Sequence, residues 1–401
     1  MRIGINCYIL KPDIGGIKQY FISLFKELLQ NDTRNEYIFF YFEHNITELE
    51  KLGSKVLEEQ GILLESQREI KEHLHRIDLF FCPFGSLIPR PLPVPTVVTI
   101  VDIQEVFFPD FFTLHNLVAR FWHYVGSTKM ADHVITISNF SKDTLIKHHH
   151  LPAEKITVAH LCADERFYRA DQVAKCPEAV LPDQYVFYPA NRWVHKNHDV
   201  LLQAMVWLRD RKNITVHAVF TGYDQENGYS IEEKAEEYGL SGQVVQLGYV
   251  SVEELAYLYT HAKCMVFPSL FEGFGIPVVE AMATGCPVLA SNSTSLPEVG
   301  GDSIVCFDPF SPEDLAISML EFFEKPDLRN NLIEKGFKRA GDFSASGMAG
   351  EHVKAFEAAC CHFSIKRYIF LRFIYKYVHA GRTLIRAVIL LSRRLLPGKQ
   401  S

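Results

Sequence analysis

The stretch of sequence that decides the fold is MVFPSLFEGFGIPVVEAMATGCPVLASNSTSLPEV, residues 265–299. Apolar runs at 265–267 and 287–290 predict two buried strands. A loop with two glycines, at 269–275, is followed by Pro277, which suits the first turn of a helix because its missing N–H costs nothing there. Gly285 predicts the end of that helix. The loop therefore points at a helix N-terminus, where free N–H groups favour an anion such as phosphate.

The same alternation of apolar runs and helical periodicity continues on both sides of this unit. Further strands are predicted at 2–9, 37–42, 77–82, 96–101, 133–137, 185–189, 216–221 and 244–247. Residues 170–182 contain two prolines and little periodicity, which predicts a linker. We expect an α/β protein of two Rossmann-like, doubly wound parallel-sheet domains, at 1–172 and 183–345, facing across a ligand-binding cleft. Helices with a basic tail, at 346–401, would follow them.

Composition narrows the class of protein. A length of 401 residues suits two or three domains. With 41 Lys and Arg against 48 Asp and Glu, the formal charge is −7, which argues against a nucleic-acid partner. The nine cysteines include no Cys-x-x-Cys pair and no zinc spacing, which favours reduced thiols in the cytoplasm. Residues 1–10 predict a first strand rather than a signal peptide, and no run of 18 apolar residues predicts a transmembrane helix.

The basic charge is concentrated at the C-terminus. Residues 362–401 contain nine Lys and Arg and no Asp or Glu. On a helical wheel the apolar side chains of this segment fall on one side and the basic ones on the other. That pattern is typical of a helix lying in an anionic membrane interface, and the alternative is a terminal helix packed on the preceding domain. We favour the first, which predicts a peripheral position on the cytosolic membrane face.

Two carboxylates flank the glycine loop. Glu272 lies in the loop, where it can face a substrate, and Glu280 lies about one turn into the helix, where it can accept hydrogen bonds from a sugar diol. The alternative for Glu280 is an exposed first-turn acid favoured by the helix dipole. The chain contains no Asp-x-Asp metal motif, so side-chain cations and helix N-termini would have to stabilise the phosphate groups of a ligand bound at this loop. Lys196, just after the predicted strand at 185–189, is the best candidate, with Arg192 as its partner.

Taken together, these motifs resemble the retaining glycosyltransferases of family four, which have the two-domain GT-B fold. The segment from Glu272 to Glu280 resembles their E-x7-E signature, and Gly15-Gly16-Ile17 resembles their N-terminal glycine loop. Residues 136–142, TISNFSK, and 188–198, YPANRWVHKNH, resemble the segments that close the first domain and open the second. The resemblance covers roughly residues 1–345. It implies transfer of a sugar from a nucleotide sugar with retention of configuration.

The resemblance also implies roles for individual residues. Lys196 and Glu272 would be catalytic, with Glu272 contacting the donor sugar. Glu280 would bind the ribose hydroxyls, and the glycines of the N-terminal loop would let the backbone approach the donor phosphates. The residues expected to bind substrate are Gly15, Gly16, Asp102, Arg192, Phe274, Gly275, Ile276 and Glu280.

The sequence departs from the family pattern in two places. Many relatives have Gly-Arg with a lysine five or six residues later, whereas here Asn191-Arg192 is followed by His195-Lys196. Either Arg192 or His195 would therefore meet the diphosphate. Many relatives also have His-Asp after the strand equivalent to 96–100, where this chain has Val101-Asp102. The histidine role does not carry over, and Asp102 is either a cleft residue or a strand-end cap. We assign no general base, since the leaving phosphate itself can take the acceptor's proton.

The sequence thus predicts a retaining, metal-independent hexosyltransferase of polysaccharide or glycoconjugate biosynthesis. Its donor would be a GDP- or UDP-linked sugar, with GDP-mannose as the first candidate, and it would need no further cofactor. Its acceptor would be a lipid-linked or growing glycan. One alternative is another GT-B enzyme such as a nucleotide-sugar epimerase, against which the intact E-x7-E segment argues. The other is a catalytically silent sugar-nucleotide-binding scaffold at the membrane, which Val101 in place of histidine favours.

Overall fold

The computed structural model describes residues 1–12, 15–53, 55–222, 230–375 and 377. Within these ranges, thirteen strands form two sheets of seven and six strands, and every registered strand pair is parallel. Helices connect most successive strands, as is typical of parallel pairing, whereas residues 83–95 join two paired strands without a helix. The predicted α/β class with two doubly wound parallel sheets is confirmed.

The first sheet has the strand order β3-β2-β1-β4-β5-β6-β7. Its strands are β1 (Arg2–Asn6), β2 (Glu36–Tyr41), β3 (Gly61–Leu63), β4 (Leu79–Cys82), β5 (Thr96–Thr99), β6 (His133–Thr136) and β7 (Ile156–Val158). All residues of β4, β5 and β6 are buried, as in sheets covered on both faces. The two edge strands, β3 and β7, have three residues each and were not predicted.

The second sheet has the order β10-β9-β8-β11-β12-β13. Its strands are β8 (Val186–Pro189), β9 (Ala218–Thr221), β10 (Val244–Gln246), β11 (Cys264–Phe267), β12 (Val288–Ser291) and β13 (Ile304–Phe307). The last of these was not predicted. In each sheet the strand order reverses beside the first strand, between β1 and β4 and between β8 and β11. Ligands bind at such reversals, beyond the carboxyl ends of the strands.

In the described residues between β1 and the start of the second sheet there are eight α-helices. They are α1 (Gly16–Asn31), α2 (Ile46–Leu49), α3 (Val56–Gln60), α4 (Gln104–Phe107), α5 (Leu114–Arg120), α6 (Gly126–Met130), α7 (Asn139–His149) and α8 (Ala170–Val173). The longest, α1, buries the apolar residues of one face, including Phe21, Leu24 and Phe25, against the sheet. The short α8 forms the start of the segment predicted as a linker.

The described helices of the second domain are α9 (His198–Lys212), α10 (Ile231–Glu237), α11 (Val252–His261), α12 (Ile276–Ala283), α13 (Leu296–Gly300), α14 (Pro312–Glu324) and α15 (Pro326–Gly341). The deciding stretch folds as predicted, since β11 and β12 pair in parallel and α12 joins them with Pro277 in its first turn. Gly285 follows the helix at a φ of 73°, where a Cβ would lie 2.7 Å from the Phe337 ring. Only glycine fits that position without strain.

The last complete helix, α16 (Ala345–His362), returns to the first domain. His352 is fully buried there, and its Nε2 is 2.7 Å from the hydroxyl of Tyr20 on α1. The ring of Phe356 lies 5.2 Å from that of Phe81 on β4. A helix that follows the second domain in sequence therefore completes the core of the first.

A further helix begins after α16 and is described over residues 365–375. Arg367 fixes its start to the first domain through Asp132, 2.5 Å away, and through the carbonyl of Lys129 at 2.9 Å. Ile369, Phe370 and Phe373 are each about three-fifths exposed. Residue 376 and residues 378–401, which hold most of the predicted amphipathic tail, lie outside the described residues. In the part of the chain that is described, no helix combines the length and apolarity needed to cross a membrane.

Candidate active site

The two residues predicted to be catalytic lie side by side. Lys196 ends a short turn after β8, and Glu272 lies in the loop after the neighbouring strand β11. The Lys196 Nζ is 2.5 Å from Glu272 Oε1, and the two side chains are only 17% and 13% exposed. Lys196 Nζ also lies 5.4 Å from the centre of the Phe267 ring. The sheet topology thus joins two residues that are 76 positions apart in the chain.

Backbone contacts hold the Lys196 turn against the second loop. Tyr188 donates its hydroxyl to the Lys196 carbonyl at 2.5 Å, and Leu270 donates its amide to the His195 carbonyl at 2.8 Å. Asn197, at a φ of 55°, donates its side-chain amide to the carbonyl of Pro309 at 2.8 Å. The position of Lys196 is therefore set by hydrogen bonds on several sides.

The Glu272 loop is held in turn by the segment that follows β12. The amide of Glu272 donates to Thr294 Oγ1 at 3.0 Å, and Ser295 donates its hydroxyl to the carbonyls of Glu272 and Phe274 at 2.9 and 3.0 Å. Gly275 has a φ of 94°, and a Cβ there would lie 2.4 Å from the Leu296 side chain. The glycine is required both by its backbone conformation and by this close packing.

The predicted anion site is the N-terminus of α12. Phe274 and Gly275 are buried, Ile276 is half-buried, and the first turn carries no acidic residue. The positive end of the helix dipole is therefore not neutralised by its own first turn, which suits a negatively charged ligand.

Glu280 is the fifth residue of α12, so the alternative of a first-turn acid is wrong. Tyr259 donates its hydroxyl to Glu280 Oε2 at 2.9 Å. Burial of the carboxyl raises its pKa to about 7, although the hydrogen bond from Tyr259 acts in the opposite direction. The side chain is half-buried and so remains partly accessible.

Two cationic candidates were left open for the diphosphate, and their charge states differ. Burial, together with the nearby Lys196, lowers the pKa of His195 to about 4, so His195 is neutral at pH 7. Arg192 is 93% buried, and a guanidinium keeps its charge in proteins. This favours Arg192 over His195 as the second cation beside Lys196.

Asp102 combines the two roles that the sequence left open. Its Oδ1 accepts the Gln104 amide at 3.1 Å, which is a strand-end cap. It also faces the second domain, because a Cβ on Gly273 would lie 3.1 Å from Asp102 Oδ2 and 2.9 Å from the Val101 carbonyl. Burial raises the pKa of Asp102, Arg120 opposes that shift, and Glu272 adds to it. Asp102 is therefore electrostatically linked to the Lys196–Glu272 pair.

The N-terminal glycine loop leads into α1 of the first domain. Gly15 has a φ of 57° and is followed directly by α1, which begins at Gly16. A Cβ added to either glycine would meet no described atom within 4 Å. The structure therefore leaves room at the start of α1, where the resemblance predicts that donor phosphates approach.

Sequence reasoning missed an ion pair next to Asp102. Arg120 NH1 lies 2.9 Å from Glu105 Oε2, and the Arg120 guanidinium stacks over the Phe112 ring at 4.7 Å. Glu105 and Arg120 are 15 residues apart on two short helices, so no periodic pattern relates them. In the described ranges, no group of three or more His, Cys, Asp or Glu side chains is arranged to hold a metal ion.

Two family models match most of the chain. Residues 14–167 match the model described as Glycosyltransferase Family 4, and residues 177–339 match the one described as Glycosyl transferases group 1. The two matched regions cover the predicted glycine loop and the E-x7-E segment respectively.

Several curated proteins are similar in sequence. The O-antigen chain mannosyltransferase B of Escherichia coli is 25% identical over 391 residues, which span 89% of this chain and 100% of that protein. The O-antigen chain mannosyltransferase RfbU of Salmonella typhimurium is 29% identical over 238 residues, 59% of this chain and 63% of that protein.

Solved structures agree with the fold. A glycosyltransferase from Rickettsia africae superimposes with a TM-score of 0.68 at 17% identity, covering 89% of this chain and 98% of its own. Anabaena Alr3699/HepE, crystallised in complex with UDP and glucose, gives a TM-score of 0.68 at 18% identity, covering 89% of this chain and 100% of its own. At these identities the likeness establishes the shared architecture.

Proposed function

Because this chain belongs to glycosyltransferase family 4 and has the GT-B fold, we propose that it transfers mannose, with retention and without a metal, from GDP-mannose to a growing or lipid-linked glycan. It is a hexosyltransferase. Membership of this family argues against the epimerase alternative. The similarity to two O-antigen chain mannosyltransferases supports mannose and a glycan acceptor. The UDP complex of a structural relative keeps UDP-sugars as the second choice of donor.

The observation that carries this proposal is the Lys196–Glu272 pair beside the N-terminus of α12. When the bond between the anomeric carbon and the diphosphate oxygen breaks, negative charge develops on the leaving group. Lys196, Arg192 and the helix N-terminus supply the positive groups that stabilise it. Glu272 faces the positive charge that develops on the sugar. The acceptor oxygen forms the new bond on the same face, and its proton passes to the leaving phosphate.

A panel of nucleotide sugars provides the first test. We expect GDP-mannose to raise the melting temperature most, and to be turned over when a mannose-containing glycan is added. Turnover unchanged by EDTA supports a metal-independent reaction, and an α-linked product by NMR supports retention. Stabilisation by a nucleotide sugar without turnover on any acceptor would favour the silent scaffold, for which Val101 in place of histidine is the supporting feature.

The basic tail supports a second element of the proposal, which is docking on an anionic membrane on the cytosolic side. The described start of the segment 362–401 is fixed to the first domain by Arg367, while Ile369, Phe370 and Phe373 remain exposed. An exposed apolar face next to basic residues favours an anionic lipid surface. Co-sedimentation with anionic vesicles should be lost when residues 362–401 are deleted. Equal binding by both proteins would contradict docking through the tail.

A further inference from the structure

The N-terminus of α7 and the short helix α13 meet across the boundary between the two domains. Helix α7 begins in the first domain at Asn139, and its N-cap Ser138 accepts the Ser141 amide at 3.0 Å. Helix α13 belongs to the second domain and carries Glu298. No motif in the sequence marks a role for Glu298.

Glu298 acts as a second cap of α7, supplied by the opposite domain. Its Oε1 accepts the Asn139 amide at 2.8 Å and the Asn139 side-chain amide at 2.9 Å, and its Oε2 accepts the Phe140 amide at 3.0 Å. His160 donates Nε2 to the same carboxylate at 2.9 Å. A carboxylate at a helix N-terminus is stabilised by the unpaired amides and by the dipole.

The charge and placement of Glu298 are well determined. Burial acts to raise its pKa, but the hydrogen bonds from His160, Asn139 and Phe140 outweigh it, so the pKa is lowered and the carboxylate is ionised at neutral pH. Arg339 fixes the backbone of α13 by donating to the carbonyls of Glu298 and Val299 at 2.7 and 2.9 Å.

Two hydroxyls of α7 reach the loop that carries Glu272. Ser138 donates to the Gly273 carbonyl at 2.7 Å. Ser141 donates to the carbonyl of Val101 at 3.0 Å and to that of Gly273 at 3.3 Å. Gly273 directly follows Glu272, and Val101 directly precedes Asp102. The start of α7 therefore contacts the backbone beside both carboxylates of the candidate site.

The segment 294–298 connects these contacts. Thr294 accepts a hydrogen bond from the Glu272 amide, and Ser295 donates one to the Glu272 carbonyl. Glu298, three residues after Ser295, accepts the Asn139 amide at the start of α7. The position of the Glu272 backbone is thus tied to the first domain both directly, through Ser138, and indirectly, through α13.

We propose that Ser138, Ser141 and Glu298 are positioning residues, forming an interdomain latch that aligns Glu272 with Lys196 and Asp102 when the domains are closed. The inference rests on the proposed function for its kinetic consequence. Displacements of about 1 Å in a catalytic group can cost about 100-fold in rate, so loss of the latch should lower kcat. Binding of the donor should change less than kcat, because most of the residues expected to bind it, among them Arg192, Gly275 and Glu280, lie in the second domain.

Glu298→Gln is the main variant, because one carboxylate oxygen becomes an NH2 group facing backbone N–H donors. We expect kcat to fall about tenfold or more, with the donor KM within about threefold of the wild-type value. Small-angle scattering with saturating GDP or UDP should show a larger radius of gyration than the wild type. Glu321→Gln, an exposed acid that pairs with Lys325, is the matched control and should change neither quantity.

Ser141→Ala provides a second test that keeps the N-cap of α7. It removes only the hydroxyl that reaches Val101 and Gly273, and Thr144→Val is its control because Thr144 bonds within its own helix. The proposal is overturned if both latch variants keep kcat within about twofold, if Thr144→Val loses as much activity as Ser141→Ala, or if neither latch variant changes the scattering. An inactive wild type would refute the proposed function, while the scattering would still decide on the latch.

Discussion

The two sides of the cleft differ in how far their geometry is already set. On the second-domain side, Lys196 and Glu272 are in contact at 2.5 Å, and hydrogen bonds fix the backbone of both. On the first-domain side, a Cβ added to Gly15 or Gly16 would have no described atom within 4 Å. The comparison indicates that the groups expected to stabilise charge are preorganised, whereas the glycine loop provides room for the ligand. Preorganised charge is what electrostatic catalysis requires.

The largest expected effect comes from removing the preorganised charged side chains of the second domain. Lys196→Ala should lower kcat by about 10²–10³-fold, because it removes one of the positive groups proposed to stabilise the leaving diphosphate. Glu272→Ala should also abolish transfer. Circular dichroism should show intact folds, and Lys325→Ala, at an exposed ion pair, should be fully active. Near-normal rates in both variants would show that the site is assigned wrongly.

A second prediction concerns Glu280 on the preorganised side. Its folded pKa of about 7 lies above its ordinary value of 4.5, so the folded protein binds the proton more tightly than the unfolded chain. The stabilisation is complete below about pH 4.5 and is lost as pH rises through about 7. The free energy of unfolding should fall by about 3 kcal/mol over this range relative to Glu280→Gln. Urea unfolding of both proteins at pH 5 and pH 8 measures the difference, and parallel pH dependences would contradict it.

A third prediction tests the open side. Gly16→Ala should leave the free energy of unfolding within about 0.5 kcal/mol of the wild-type value, because the methyl group enters unfilled space. The donor KM should nevertheless rise about tenfold if the phosphates approach this backbone as closely as proposed. Gly350→Ala, at another open glycine on α16, is the control and should not affect KM. An unchanged donor KM in Gly16→Ala would show that the glycine loop does not contribute to donor binding.

The smallest expected effect lies at the aromatic contacts between the two sides. Phe107 of the first domain packs 5.3 Å from Phe271 of the second, and both rings also contact Phe140. Phe107→Leu keeps an apolar side chain but removes the ring contacts, and should cost about 1 kcal/mol of stability. Thermal unfolding measures this, with the exposed Phe310→Leu as control. A loss as small as that of the control would show that these contacts add little to closure.

Local signals in the sequence were sufficient for the second-domain side of the site. Pro277 and Gly285 set the limits of α12, and Lys196 and Glu272 each follow a predicted strand at the expected cleft, although their direct contact was not predicted. The edge strands β3 and β7 were not predicted, and both are short and only partly buried, unlike the fully buried central strands.

Contacts between distant segments were not predictable in this way. Asn139 and Glu298 are 159 residues apart, and the charge of Glu298 carries no local sign of its partner. The position of α16 was missed for a related reason. Its apolar face shows that it packs on something, but the pattern is the same whichever sheet it covers. Only the tertiary structure identifies Tyr20 as the partner of His352.

The return of α16 has a mechanical consequence. The chain passes from the first domain to the second near α8 and passes back between α15 and α16, so two covalent connections join the domains. A single connection would allow the two domains to reorient freely, whereas two connections limit their relative orientation. Two connections therefore restrict rotation of one domain relative to the other more than a single connection would. Substrate entry and alignment of the reacting groups both depend on this relative orientation of the two domains.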